Sequence, residues 1–283
     1  MNISISNAIL EGTQALHAAG VAEARRESGS LLAHAIGRDR TFVVTHTDEP
    51  VEAEALEAFR MLIEQRATGE PLQYLTGHQE FFELDFEVTP DVLIPRPETE
   101  LIVEIALELL EDDPDPFLAD IGTGSGCIVI SLLHELRNAL AIATDISAAA
   151  LCVAQRNADR HGVAERLTVI ESDCFARVDA GRSFSLVASN PPYIRDDEME
   201  TLQREVGYEP RAALAGGPDG LDIIRQLLCE AAPFLRRGGH FIFEIGVGQN
   251  ALVGQLINRE FWELTEVRPD LQGIARAVVL RKK

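Results

Sequence analysis

The chain has 283 residues, 46% hydrophobic and 25% charged. That balance excludes a largely disordered protein and leaves room for one large domain or two smaller ones. With 25 basic against 46 acidic residues the formal net charge is −21, which repels phosphate backbones at long range and disfavours DNA or RNA as the main substrate. No apolar run reaches the ~18 residues of a membrane-spanning helix, and MNISISNAIL has neither the basic start nor the long apolar core of a secretory leader. The cytoplasm is the expected location, with no membrane partner and a monomeric chain. Cys127, Cys152, Cys174 and Cys229 contain no CxxC pair and read as reduced thiols, not as a disulfide frame or a zinc site; no metal is expected.

Residues 1–75 read as helices. Apolar residues recur at three- and four-residue spacing from Ala8 to Leu16, from Ala22 to Ile36 and from Val51 to Ile63, and Gly20, Gly37 and Gly69 stand where helices should stop. Phe42-Val43-Val44 is the one strand-like run. Residues 76–96 change in texture: His78 to Thr89 alternates like a strand and Asp91 to Ile94 gives a second short one, so a β-hairpin linker is expected.

From residue 97 to 283 the pattern is helix, strand, helix, strand. Pro97-Glu98-Thr99-Glu100 opens a helix that runs to about Leu110, with proline in its first turn and acids at its positive end. Core strands are expected at 118–121, 140–144, 167–170, 186–188 and 240–245, then near 264–267 and 275–280, with helices such as 148–161 and 221–235 between. This is an α/β, Rossmann-like pattern of seven strands, a parallel sheet covered on both faces. The last two strands leave no room for a helix between them, so one should turn antiparallel.

The first core strand ends in Asp120-Ile121-Gly122-Thr123-Gly124-Ser125-Gly126, and a helix opens directly after it. Glycines allow the sharp turn and close approach of a ligand, and the free N–H groups of the helix start face it. Asp145 ends the next strand, 19 positions beyond Gly126, where a carboxylate can accept both ribose hydroxyls of an adenosine. Ser172-Asp173-Cys174-Phe175 could hold an adenine. A dinucleotide would want GxGxxG, whereas the spacing here is GxGxG. Asp120 would repel a pyrophosphate and suits a ligand with an ammonium group, such as S-adenosyl-L-methionine.

The fourth core strand ends in Ser189-Asn190-Pro191-Pro192-Tyr193. Two prolines stiffen the backbone and remove two donors. The Asn190 oxygen and the Pro191 carbonyl can then accept the two hydrogens of a planar NH₂ group, with the Tyr193 ring lying on the substrate's π system. Holding both hydrogens aims the nitrogen at the methyl of a sulfonium, a task of position and electrostatics with no strong base.

In these features the chain resembles the peptide chain release factor glutamine N5-methyltransferases, the PrmC/HemK family of class I S-adenosylmethionine-dependent methyltransferases. The resemblance is carried by Gln73 to Gly77, Phe81-Phe82, Leu93-Ile94-Pro95-Arg96-Pro97-Glu98-Thr99-Glu100, the glycine loop and Ser189 to Ile194. It continues through Glu209 to Leu214 and Gly216-Gly217-Pro218-Asp219-Gly220-Leu221. It implies methylation of the glutamine of the Gly-Gly-Gln loop of bacterial class I release factors. It also implies a helical domain, residues 1–75, that binds the release factor, a hairpin linker at 76–96 and a catalytic domain at 97–283. By motif position, Gly122, Thr123, Gly124, Ser125, Gly126, Asp145, Cys174 and Asn190 would contact the cofactor. Asn190, Pro191, Pro192 and Tyr193 would hold the glutamine amide. Cys174 departs from the family, in which a bulky residue is common there.

Arg96 and Glu98 are expected at the substrate entrance, with an ordinary structural pair as the competing reading; Arg195 to Glu200 reads as a lid or as a solvated helix start. The rival functions are a DNA or RNA exocyclic-amine methyltransferase, which should show a basic groove, and a non-catalytic release-factor adapter, against which the intact Asn190 to Tyr193 speaks. A nicotinamide oxidoreductase is opposed by Asp120 and the glycine spacing.

Overall fold

In the computed structural model, which describes residues 3–283, the N-terminal stretch is helical throughout. Its helices are α1 (Ile5–Ala18), α2 (Ala24–Ala35), α3 (Arg40–Thr45), α4 (Ala53–Ala67) and α5 (Leu72–Thr76). Ile5, Leu16, Leu31, Leu32, Phe59 and Ile63 form its core. Gly12 of α1 lets the helices approach closely, since a Cβ there would stand 2.5 Å from Ser28 Oγ and 2.6 Å from the Phe59 ring. Arg66, also buried, donates to Glu27 at 2.5 Å and to Glu205 at 2.9 Å. The short segment Gln203–Tyr208 thus belongs to this unit, which otherwise ends at His78. The strand-like run Phe42-Val43-Val44 lies inside α3. Asp39 caps it by accepting the Phe42 N–H at 2.7 Å, and a satisfied helix start outweighs the β preference of three residues.

The second unit comprises Gln79–Leu202 and Glu209–Lys283. The hairpin is smaller than the alternation suggested. β1 (His78–Phe81) pairs with β2 (Leu84–Glu87), both within the run expected to be one strand, and 91–94 forms no strand. Phe82 and Glu83 make the turn at φ 49° and 60°, a conformation that usually selects Asn-Gly. Here Glu100 accepts the Phe82 N–H at 2.9 Å and the Phe82 ring packs on the core, which offsets the strain.

A 3₁₀ turn at Pro97–Thr99 leads into α6 (Glu100–Leu110). Then follow β3 (Phe117–Ile121), α7 (Cys127–Glu135), β4 (Leu140–Asp145), α8 (Ala148–Arg160), β5 (Leu167–Glu171) and β6 (Phe184–Ser189). The chain ends with α9 (Asp222–Glu230), β7 (Leu235–Glu244), α10 (Asn250–Leu256), β8 (Trp262–Pro269) and β9 (Ala275–Lys282). The sheet order is β5-β4-β3-β6-β7-β9-β8, parallel as far as β7, with β9 antiparallel to both β7 and β8. One apolar cluster gathers Ile102, Val103, Ile130 and Leu133, the other Ile224, Leu227, Val253 and Trp262, so helices cover both faces. The winding reverses between β3 and β6, and a crevice opens at such a switch point, beyond the strand ends. Fully buried Asn157 of α8 ties this end together: it accepts the Glu87 N–H at 2.7 Å and donates to the carbonyls of Glu87 at 3.0 Å and Ser125 at 2.9 Å.

Candidate active site

A cavity of about 410 Å³ occupies the switch point, within the size range of small-molecule sites. Gly122, Thr123, Gly124, Ser125, Asp145, Cys174, Asn190, Pro191 and Pro192 all line it, so most of the expected site residues meet around one space. Leu93, Ile121, Ile128, Ile146 and Ile223 supply much of its apolar wall.

The glycine loop is fixed from behind. Gly122, Gly124 and Gly126 all have positive φ, at 74°, 55° and 83°. The N–H groups of Gly122 and Thr123 both donate to the Thr144 carbonyl, at 2.8 and 2.9 Å. Asp145 accepts the N–H of Gly124 on one oxygen and that of Ser147 on the other, each at 2.9 Å; it therefore shapes the loop as well as facing the cavity. Gly126 is not on the cavity wall. A Cβ there would stand 2.7 Å from Ile130 Cδ1 and 3.3 Å from Ala154 Cβ, so its glycine serves packing against α8.

Asp120 lies under the loop, 1% exposed. Its Oδ2 accepts the Thr123 hydroxyl at 2.7 Å, and among the described residues its Oδ1 has no hydrogen-bond partner within normal geometry. Burial pushes its carboxyl up to about 7, with the Thr123 hydrogen bond opposing. Asp120 is not on the cavity wall; a carboxylate buried behind the glycine turn would act on a cationic ligand as a charge beneath the loop. With the adenosine-compatible wall of Asp145, Ile146 and Cys174, the residues fit S-adenosylmethionine. Burial pushes the Cys127 and Cys174 thiols up to about 12, so neither is a thiolate nucleophile. Cys174 holds a positive φ of 42° at the cavity wall.

β6 delivers the second half of the site. Ser189 donates to the Ile121 carbonyl at 2.7 Å, and Asn190 Nδ2 donates to Thr99 Oγ1 at 2.9 Å. Tyr193 is not on the cavity wall; its hydroxyl donates to Glu244 at 3.0 Å. Burial raises the Tyr193 phenol well above its ordinary range, with the Glu244 charge adding to it. Gln249 donates to the Tyr193 carbonyl at 2.9 Å and accepts the Gly246 N–H at 2.8 Å. Packed against this exit are Gly216 and Gly220, where a Cβ would stand 2.7 Å from the Pro192 carbonyl and 2.3 Å from that of Tyr193. The motif Gly216 to Leu221 is thus a backbone buttress for Asn190 to Tyr193. Arg96 is at the cavity wall and Glu98 is not; Arg96 pairs with buried Glu209 at 2.5 Å, and Glu209 also accepts the Ile94 N–H at 3.1 Å. Thr99 and Glu209 stand within motifs that carry the resemblance but have no role assigned from sequence, and Glu244 and Gln249 are not singled out there at all. The one signal was an acid, Glu244, in the otherwise apolar end of β7.

The PrmC N-terminal domain family matches residues 7–77 and the methyltransferase small domain family residues 101–209. A release factor glutamine methyltransferase of Nitratidesulfovibrio vulgaris is 42% identical over 287 residues, covering 99% of this chain and 97% of its own. One of Moorella thermoacetica is 43% identical over 282 residues, with 99% of each covered. Among solved structures, the hMettl16 catalytic domain, in complex with an MAT2A 3′UTR hairpin, superposes with a TM-score of 0.58 at 14% identity, covering 77% of this chain and 79% of that one. A methyltransferase from Pyrococcus furiosus does so at 0.52 and 18%, covering 71% and 90%. These two share the fold. Among the described residues no helix is long and apolar enough to cross a membrane. With this sequence identity over nearly its whole length, the chain belongs to the release factor glutamine methyltransferase family of S-adenosylmethionine-dependent enzymes.

Proposed function

We propose that this protein methylates the side-chain amide nitrogen N5 of the glutamine in the Gly-Gly-Gln loop of bacterial class I release factors. Residues 1–75 bind the release factor, 76–96 link, and 97–283 carry out transfer. The chain works as a monomer in the cytoplasm; it acts on protein and not on nucleic acid, the latter supported by the net charge of −21.

The observation that carries the reading is the tether of Asn190. Its Nδ2 is held by Thr99, which leaves the amide oxygen to accept from a ligand, and Asn190 and Pro191 both line the cavity. The Asn190 amide oxygen and the Pro191 carbonyl would together match the two hydrogens of a primary amide. Neither is a base, so the pair fixes the nitrogen without deprotonating it, and positioning supplies most of the rate. Gly122 to Ser125, Asp145 and Cys174 hold the cofactor, with Asp120 as a buried counter-charge and Gly126 as the packing residue that lets the loop close. S-adenosylmethionine supplies, when bound, an electrophilic methyl carbon. Tyr193 fixes the corner through Glu244.

The test is incubation with methyl-labelled S-adenosylmethionine and a purified release factor carrying either the native loop or a Gln→Ala loop. Label is expected in the native factor alone. Label in the Gln→Ala factor or in added nucleic acid would refute the assignment.

A further inference from the structure

We infer that Glu244 and Thr99 are positioning residues that decide which end of the Asn190 amide faces the substrate, and so make the site selective for a carboxamide over a carboxylate. The inference rests on the glutamine substrate proposed above and adds to it the element that sets its polarity.

Glu244 ends β7 with 2% of its surface exposed. Its two oxygens each take one hydroxyl hydrogen, Oε2 from Thr99 at 2.6 Å and Oε1 from Tyr193 at 3.0 Å. An ionised carboxylate can only accept, so the single Thr99 hydrogen is committed to Glu244. Thr99 Oγ1 is then left as an acceptor, and the group it meets must donate. That group is Asn190, 91 residues along the chain, with Nδ2 at 2.9 Å. The direction of donation therefore runs from Asn190 through Thr99 to Glu244. Burial raises the Glu244 carboxyl above its ordinary value, and the Glu98 charge adds to this; the hydroxyls of Thr99 and Tyr193 and the charge of Arg276, itself paired with Asp270 at 3.0 Å, act in the opposite direction and favour the ionised carboxylate that the relay uses.

The polarity matters because an asparagine amide is nearly symmetric in shape. Reversed, it would present NH₂ to the NH₂ of glutamine, two donors facing each other, and would instead suit the carboxylate of a glutamate. Local backbone stiffness at Pro191 and Pro192 cannot distinguish the two orientations; among the described residues it is the hydroxyl of Thr99, directed by Glu244, that does so. A site built around a directed acceptor rejects a ligand that lacks the matching donor, because a buried acceptor left unpaired is costly.

Three variants test this. In Glu244→Gln the new amide can donate to Thr99 Oγ1, which frees the Thr99 hydrogen to donate to a reversed Asn190. Thr99→Val removes the relay while keeping the shape, and Thr99→Ser keeps the hydroxyl. Two quantities are read for each: kcat and KM for a release factor, and the affinity of the protein loaded with S-adenosylhomocysteine for the factor with its native loop and with a Gln→Glu loop. For Glu244→Gln and Thr99→Val, kcat is expected to fall about 30-fold with KM within about 3-fold, and the preference for the Gln loop over the Glu loop to drop about tenfold. Thr99→Ser should retain both to within about 3-fold. Unchanged loop preference in Glu244→Gln and Thr99→Val would overturn the inference, as would a Thr99→Ser variant no better than Thr99→Val. A wild-type protein that methylates no release factor would overturn the substrate assignment itself, and this inference with it.

Discussion

Arg96 and Glu209 meet at 2.5 Å across 113 residues of sequence, with the Glu209 side chain 2% exposed and the Arg96 side chain 32%. Glu209 also caps the Ile94 N–H, so one carboxylate joins the segment before α6 to the segment after Tyr208. Glu209→Ala leaves a buried N–H and a half-buried guanidinium without their partner. A loss of about 3 kcal/mol of stability is expected, read by urea denaturation. A variant as stable as wild type would show that the pair contributes nothing to the fold.

Asp145 uses both oxygens on backbone N–H groups, those of Gly124 and Ser147. Asp145→Asn replaces one acceptor by a donor that faces one of those N–H groups. Cofactor affinity should drop by about 10- to 100-fold, the scale of hydrogen bonds to a charged group. Isothermal titration calorimetry measures it, and an unchanged Kd would remove Asp145 from the site.

Asn190→Ala deletes the amide while leaving the glycine loop intact. Turnover should fall by about 10²-fold or more, the magnitude seen when one positioned polar group is lost from a reacting centre. Cofactor affinity should weaken far less. Near-normal turnover of release factor would exclude the assigned role.

Gly220 has φ +75°, and a Cβ added to it would stand 2.3 Å from the Tyr193 carbonyl oxygen. Gly220→Ala must therefore push back the exit of the Asn190 to Tyr193 corner, and methyl transfer should fall at least tenfold, since displacements of about 1 Å have costs of that order. Steady-state kinetics beside a circular-dichroism check of folding separates this from unfolding. Wild-type kinetics would show that the buttress is not needed.

Asp120, raised to about 7 in the folded protein by burial, titrates near 3.8 when unfolded. Between those values the folded state binds more protons, so stability falls as pH rises from about 4 to about 7. Asp120→Asn keeps an acceptor for Thr123 and removes the charge. The difference in unfolding free energy between variant and wild type should shift in favour of the variant across that window, by no more than about 4 kcal/mol. Denaturation at a series of pH values checks it. Parallel curves for the two proteins would place the Asp120 titration elsewhere.

The glycine loop and the proline corner were legible in the sequence because each is a local backbone device. Glycine permits positive φ and proline removes donors whatever the rest of the chain does. The parallel sheet and its antiparallel end follow from the helix–strand alternation and the crowding of the last two strands, whereas the strand order does not. What stayed hidden is long-range. The tether of Asn190 needs Thr99 and Glu244 from two other elements, and no spacing rule relates positions 91 and 54 residues away from it. The hairpin was misread because Phe82-Glu83 is poor turn chemistry, accepted only where Glu100 and the core hold it. Phe42 to Val44 was misread because one cap at Asp39 settled a contest that propensity alone left to the other side. Tyr193 reads from sequence as a platform for substrate because its ring is flat; the buried acid that its hydroxyl meets, Glu244, is set by the fold and not by any local pattern.

The Asn157 side chain, with one amide group serving both β2 and the Ser125 carbonyl, makes the hairpin and the glycine loop a single mechanical part. A force applied to Glu87 from outside is felt at Ser125 through two hydrogen bonds and one rigid plane. A displacement of the hairpin at Glu87 and one of the loop at Ser125 therefore both strain the same buried amide.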